Sequence, residues 1–394
     1  MGSRNRLFSK FIRRLNDDAT VKTTGLETVA RVTTSDILDS ADVTNIIQNT
    51  ASGLDSAAVI SLINTNAPVG GALYDSIGVL GNGTNVGDIA FIDGDSDVRI
   101  WNGSKWTIAS IEIPPTTVEY VVVAGGGSSY YLYNHGTSTG GGGAGGYRSS
   151  VSGEYSGAQS TAETPLTVNA GDTYTITVGA GGSIGTSASN GDNSQITGQS
   201  IINNILTTQT ITSIGGGHGG KFNAAAQTGG SGGGSHGTNT PGSGTANQGT
   251  AGRSQYSSFY DAGAGGSAGA AHPDYEMVSG VGIDTLITGT NLKLGGGGMG
   301  GQSGREGANA YGGGRAGYYP PSSGSIIGST PGTANTGGGG GGGSNRTVTG
   351  NSGGSGIVIL RCSSPAASTT GNPTVTTTSD GTVYQFTGSG TITF

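Results

Sequence analysis

Residues 295–307 read GGGGMGGQSGREG, with glycine at 295, 298, 301, 304 and 307 and no proline. The fold turns on whether such a run is ordered. A collagen strand keeps glycine at every third place but depends on proline for stiffness, and a flexible linker needs no period. A glycine α-helix or β-strand loses much backbone entropy and buries no side chain. The polyproline II conformation has three residues per turn and no internal hydrogen bonds, so every N–H and C=O points outward and needs a partner. Several such rods packed side by side satisfy one another, provided that glycine stands wherever a neighbour touches. At about 3.1 Å per residue the run would span roughly 40 Å.

Two glycine patterns then follow. A rod inside a bundle needs glycine almost everywhere, as in the unbroken run 337–343. A rod at the edge needs it on fewer faces, which gives a period of three. The expectation is that 337–343 is central and 295–307 is an edge rod, with Met299, Gln302, Arg305 and Glu306 on its open face. Some ten short clusters recur between 118 and 361, among them GGGGAGG at 140, GGGHGG at 215, GGSGGGSHG at 229 and GAGGSAG at 263. Short rods joined by loops make a compact sandwich, not one collagen rod. Strand-like segments frame them: VEYVVVA at 118, YTITVG at 174, GIVILRC at 356 and TVYQFTGSGTITF at 382.

Composition supports order of this kind. The chain has 82 glycines in 394 residues, about three times the usual share. Only 10% of residues are charged, whereas disordered chains are generally charge-rich. The formal net charge of −7 and the absence of a basic stripe speak against nucleic acid as a partner. One cysteine, Cys362, excludes an internal disulfide. No apolar run approaches the roughly 20 residues of a membrane-spanning helix.

The N-terminal third differs in texture. In residues 4–16, Leu7, Phe8, Phe11, Ile12 and Leu15 fall at helical spacing, with Arg4, Arg6, Lys10, Arg13 and Arg14 on the other side. So short an amphipathic helix is marginal alone and is expected to dock, as an anchor. Its arginine-rich, acid-poor opening also fits an organellar transit peptide. LDSADVTNII at 38 and LDSAAVISLI at 54 form a weak repeat, each with an Asp-Ser helix start before a short apolar stripe. These stripes suit either fold-back on the next module or self-association as a parallel trimer. Residues 68–113 alternate apolar and polar residues around the turns DGDSD and NGS. Phe91, Ile100, Trp101, Trp106 and Ile108 would form a core or a trimer interface there. DGDSD lacks the spacing and glutamate of a calcium loop.

The framing motifs, together with GGGGGGGS and GNSGGSGIVILR, resemble the glycine-rich domain of phage tail-fibre proteins. The clusters look like those of adhesins that cap the long fibres of contractile-tailed phages. LDSADV, LDSAAV and GDIAFIDGDSDVRIWNGSKW are similar to stretches in marine-phage structural proteins. The resemblance covers 35–394. It implies a polyglycine II sandwich that presents loops to a host receptor, in a homotrimeric fibre joined through its N-terminus to other virion proteins. Here anchor, stalk and tip would lie in one chain.

The expected fold is thus mixed, mostly β and polyglycine II. Its divisions are a virion-anchoring segment at 1–34, a short helical stalk at 35–67, a small β module at 68–117, the glycine-rich domain at 118–362 and a C-terminal β segment at 363–394. Recognition is assigned to loops, where aromatic and polar residues cluster: Tyr130, Tyr131, Tyr133 and His135; Tyr256, Phe259 and Tyr260; His272, Asp274 and Tyr275; Tyr318 and Tyr319. They suit stacking on a surface glycan or insertion between outer-membrane protein loops. Equally, they suit covering the edges of the sandwich. No cofactor or metal is expected, since the four histidines lack partners at ligand spacing. No nucleophile elbow or acid pair points to an enzyme. A non-adhesive decoration or neck fibre, and a secreted ice-binding or cell-surface protein, are the competing readings.

Overall fold

The computed structural model describes residues 73–74, 89–92, 97–101, 104, 106–108, 116–131, 137–185, 187–203, 205–237, 239–255, 261–271, 280–301, 311–317, 327–344 and 349–394. The expected anchor, with Leu7, Phe8, Phe11, Ile12 and Leu15, and the LDSA repeats lie outside these residues. The chain divides into two compact units at Glu112 and Ile113. In the first, β1 (Leu73–Tyr74), β2 (Ile89–Ile92), β3 (Asp97–Trp101) and β4 (Trp106–Ile108) form one sheet in chain order. β1 runs parallel to β2, and the others are antiparallel neighbours.

The second unit is built on two antiparallel sheets. One joins β5 (Thr116–Val123), β6 (Tyr147–Ser149), β7 (Leu166–Val168), β13 (Ile357–Cys362), β15 (Thr374–Thr378) and β16 (Gly381–Phe386), with β5 and β13 at its centre. The other runs in the order β10 (Ile205–Ser213), β9 (Ser194–Ile202), β8 (Thr173–Thr177), β17 (Gly390–Thr393) and β14 (Ser368–Thr369). A small hairpin, β11 (Ile283–Thr285) and β12 (Leu292–Leu294), stands apart from both sheets. The C-terminal segment contributes strands to both sheets, β15 and β16 to the first and β14 and β17 to the second.

Why VEYVVV and IVIL are almost continuously apolar is now plain. Val118, Tyr120 and Val122 of β5, with Val358 and Leu360 of β13, face a core shared with Tyr174, Ile176, Ile196 and Phe386. Val121, Val123, Ile357 and Ile359 point the other way, into a second core with Tyr147, Ile283, Ile287 and Leu294. Strands buried on both faces carry no polar alternation. The exception proves the pattern: Glu119 is held by Arg361 on the adjacent strand, Nε donating to Oε2 at 2.7 Å.

The glycine segments begin where the strands stop. Val123 pairs with Ile357 on one side and Tyr147 on the other, and Ser194 pairs with Ser213. Each adjoins a glycine run, so the runs leave the sandwich from one end. Among the described residues they carry no strand pairing beyond isolated bridges such as Gly229 with Gly244. Their hydrogen bonds instead have a period of three. In segment 140–146, the N–H groups of Gly140, Gly143 and Gly146 donate to Gly220, Gly217 and Ile214, each at 2.8 Å. Gly141 and Ala144 donate to Gly263 and Gly266, and Gly142 and Gly145 to Gly340 and Gly337. Its carbonyls accept from Ala124 and Gly127, from Ser231 and Gly234, and from Gly298. The segment therefore donates to three neighbours and accepts from three others, at the periodicity of a three-residue helix.

Run 337–343 is equally enclosed. It donates to Gly296 and Met299, to Gly127 and to Thr330, and accepts from Gly142 and Gly145, Asn351 and Gly354, and Gly314 and Gly317. Segment 295–301 bonds to four segments: 139–142, 262–268, 311–314 and 336–342. Its expected open face needs correction. Met299 is only 1% exposed. The repeat at 295, 298 and 301 also understates the contacts, because a Cβ at Gly297 or Gly300 would lie 2.3 or 1.9 Å from a neighbour's carbonyl oxygen. Only the phase of Met299 leaves room for a side chain, and an apolar side chain with room gains by being covered. Gln302, Arg305 and Glu306 lie outside the described residues.

Candidate functional site

At the end of the lattice away from the strands, the rods turn. Tyr130 follows rod 124–129, and His218 sits in rod 214–220 at a phase that admits a side chain, while a Cβ at Gly217 or Gly219 would meet backbone at 2.0 Å. The rod spacing brings the two rings together edge to face, centroids 5.5 Å apart. Lys221 Nζ lies 4.2 Å from the Tyr130 centroid, a cation–π contact worth about 0.5–1 kcal/mol at a surface.

Lys221 opens a tight hairpin. Its N–H donates to Ala224 O at 3.0 Å, and Ala224 N–H returns a bond at 2.9 Å. Asn223 takes the left-handed conformation, φ 61°, that such a turn requires and that asparagine tolerates. This turn pushes Phe222 outward, 48% exposed, with its ring edge to face with that of buried His236. Adjacent turns are knitted to it: Asn239 Nδ2 donates to Lys221 O at 3.1 Å, and Gly237 N–H to Gln255 Oε1 at 2.6 Å. Tyr131, 42% exposed, is bound through its N–H to Gly185 O, beside Ile184 at 38%.

The tip thus holds a fixed ring, Tyr130, beneath a cation, with exposed Tyr131, Phe222 and Ile184 around it. It can stack on flat ligand faces, cover apolar surface and donate hydrogen bonds from Lys221. Among the described residues, no three His, Cys, Asp or Glu side chains come together as metal ligands. The buried tyrosines belong to the sandwich. Burial pushes Tyr174 up to about 12 and, with nearby Glu163, raises Tyr120 as well. Burial likewise pushes the Cys362 thiol up to about 12, which keeps it protonated and unreactive near neutrality.

Of the recognition residues named from sequence, Tyr130 and Tyr131 come together here, with Tyr130 mostly covered. Tyr133, His135, Tyr256, Phe259, Tyr260, His272, Asp274, Tyr275, Tyr318 and Tyr319 lie outside the described residues. The residues that flank most of them, 131 and 137, 255 and 261, and 317 and 327, stand at rod tips. Ala271 and Gly280, which bracket His272 to Tyr275, lie instead at the strand end: Gly280 packs on Ser267, beside the Ala268 that joins the second core. Sequence reading missed Lys221 and Phe222. The signal was available in HGGKFN, where a cation and an aromatic ring directly follow a glycine run.

No curated protein and no solved structure matches this chain. A family model does match, over residues 102–363, about two thirds of the 394 residues. That span takes in every rod of the lattice and the strands β5 to β13 that frame them. The chain belongs to the family described as the glycine-rich domain.

Proposed function

We propose that this chain is a phage virion fibre protein, of tail-fibre type, in which a polyglycine II lattice presents loops to the host surface. The observation that supports it most is the convergence of rod tips on one end. A lattice bonded through its backbone leaves sequence at the tips free to vary, which suits recognition. Tyr131, Phe222 and Lys221 offer stacking and hydrogen bonding of the kind that a surface glycan or an outer-membrane protein loop would meet. Residues 1–34 would join the fibre to other virion proteins, and the stripes at 35–67 would hold it as a homotrimer. The role is binding, not catalysis.

The test is competition. Saturating purified full-length chain should block adsorption of the phage that carries it. The double variant Tyr131→Ala, Phe222→Ala should block about 10-fold less well at unchanged thermal stability. Adsorption unaffected by the wild-type chain would refute the adhesive role and favour a decoration protein.

A further inference from the structure

The edge strand β10 carries a site that the tip loops do not account for. β9 and β10 form a nine-residue-per-strand hairpin closed at Ile202 and Ile205. β10 ends its sheet. In antiparallel pairing, alternate residues direct N–H and C=O toward the partner strand or away from it. Thr212 fixes the parity: its carbonyl, on the outer side, accepts Nη1 of Arg148 at 3.5 Å and Nε2 of Gln248 at 3.3 Å. Thr210, Thr208 and Leu206 follow the same parity. Among the described bonds, none uses their main-chain N–H or C=O beyond the sheet. Side chains thus cap one end of the edge and leave three residues open.

Beyond the capped Thr212 end, no described side chain guards this edge. Proteins commonly blunt such strands with charge, proline or a bulge. Residues 194–213, SQITGQSIINNILTTQTITS, contain no charged residue and no proline. At the hairpin end, Ile201, Ile205 and Leu206 are 57%, 66% and 63% exposed. Isolated apolar residues on a surface are ordinary, but here Ile201 and Leu206 adjoin each other on one face, with Ile205 on the other, beside an open edge. The paired residues Ile201 and Leu206 are cross-strand neighbours.

We infer that β10 pairs with β10 of a second copy of this chain, antiparallel about a two-fold axis at Thr208. That register sets Leu206 against the partner's Thr210 and Thr208 against the partner's Thr208. Every outward residue then meets an outward residue, so each pair exchanges two N–H···O bonds. The interface is isologous, and a neutral strand meets itself without like-charge repulsion. Its charge-free character is what selects this occupant: an acidic or basic peptide would find no complementary group along the edge. The two five-stranded sheets become one continuous sheet. Outer-face threonines already pair across strands, as Thr197 with Thr210 at 2.9 Å, and the contact extends that ladder.

Two variants of the full chain test it. Leu206→Lys puts a charge on the edge. Thr208→Pro removes an N–H that points outward, which edge strands tolerate, together with the exposed Oγ1 that accepts from Gln199 Nε2 at 3.2 Å. Light scattering after size-exclusion chromatography should give each variant half the wild-type mass, whatever higher association residues 35–67 add. Circular dichroism and thermal midpoint confirm that both variants fold. Amide exchange supplies a second readout: Leu206 and Thr210 should exchange about 10-fold more slowly in concentrated than in dilute wild type, and Thr210 should lose that difference in Leu206→Lys. Equal masses for wild type and both variants would overturn the proposal. So would a threefold fall, or amide exchange at 206 and 210 that ignores concentration.

Discussion

Val122 and Gly125 stand three residues apart and are held by different forces. Val122 lies fully buried among Tyr120, Val358 and Ile176, in a core formed by side chains. Gly125 has no side chain to bury. Its N–H donates to Asp192 O at 3.0 Å, and an added Cβ would fall 1.9 Å from Ala180 O. In the sandwich, apolar area removed from water is the main stabilising term, at about 25 cal/mol per Å². In the lattice, each hydrogen bond nets only about 0.5–1.5 kcal/mol against a large entropic cost of ordering glycine. The difference teaches why the two regions are fused. The sandwich holds many rod ends in register at once, so the entropy of aligning them is largely met before the lattice bonds form.

Breaking the lattice from within should have the largest effect. At Gly142 a Cβ would sit 2.0 Å from Gly127 O and 3.1 Å from Gly340 N, between two rods that cannot both retreat. Gly142→Val is expected to cost more than about 4 kcal/mol and to abolish soluble folded protein. Gly388→Val, with nothing within 4 Å, should stay within about 0.5 kcal/mol, measured by urea denaturation. Equal tolerance at the two sites would mean that the rods are not close-packed.

Removing sandwich area comes next. Phe386 is fully buried, and Phe386→Ala should cost about 3–5 kcal/mol. If the sandwich templates the lattice, amides of 140–146 and of β13 should lose exchange protection together. Protection surviving in 140–146 alone would separate the two regions.

Alkali should act on the sandwich through its buried tyrosines. Tyr174 and Tyr120 are both raised above 10 by burial. A raised folded-state value means that their contribution is complete below pH 10, where unfolded tyrosine is protonated too, and is lost as pH climbs through the folded value. Stability should therefore fall from pH 10 upward, followed by tyrosinate absorbance together with circular dichroism. Exposed tyrosines such as Tyr131 ionise near pH 10 in any case; ionisation of all 15 tyrosines near pH 10 without unfolding would contradict it. The smallest effect concerns the seam. Gln248 accepts from Ile214 N–H at 2.8 Å and donates to Thr212 O at 3.3 Å, where strand passes into rod. Gln248→Ala should cost about 1–3 kcal/mol, read as a lowered thermal midpoint.

Much of this was legible. The apolar runs at 118 and 356 named the central strands, and the glycine clusters named the rods, because each composition suits only one way of satisfying a backbone. Tyr130 and Tyr131 were marked by their aromatic density. Lys221 and Phe222 were not, because a single pair after a glycine run acquires meaning only when His218, Tyr130 and His236 are brought beside it. Met299 shows the same limit. Its place in the period was readable, but its burial depends on what packs over that phase.

By itself the sequence determined where side chains are forbidden: a glycine every third residue, or at every residue, is a local statement about how closely another backbone can approach. It also determined which strands lie inside, since two-sided burial removes alternation. Only the tertiary structure decided which rod touches which, that 140–146 is as enclosed as 337–343, and which edge strand is left open. Those outcomes depend on pairings between residues far apart in the chain, and glycine, having no side chain, carries no label to say which glycine it will meet.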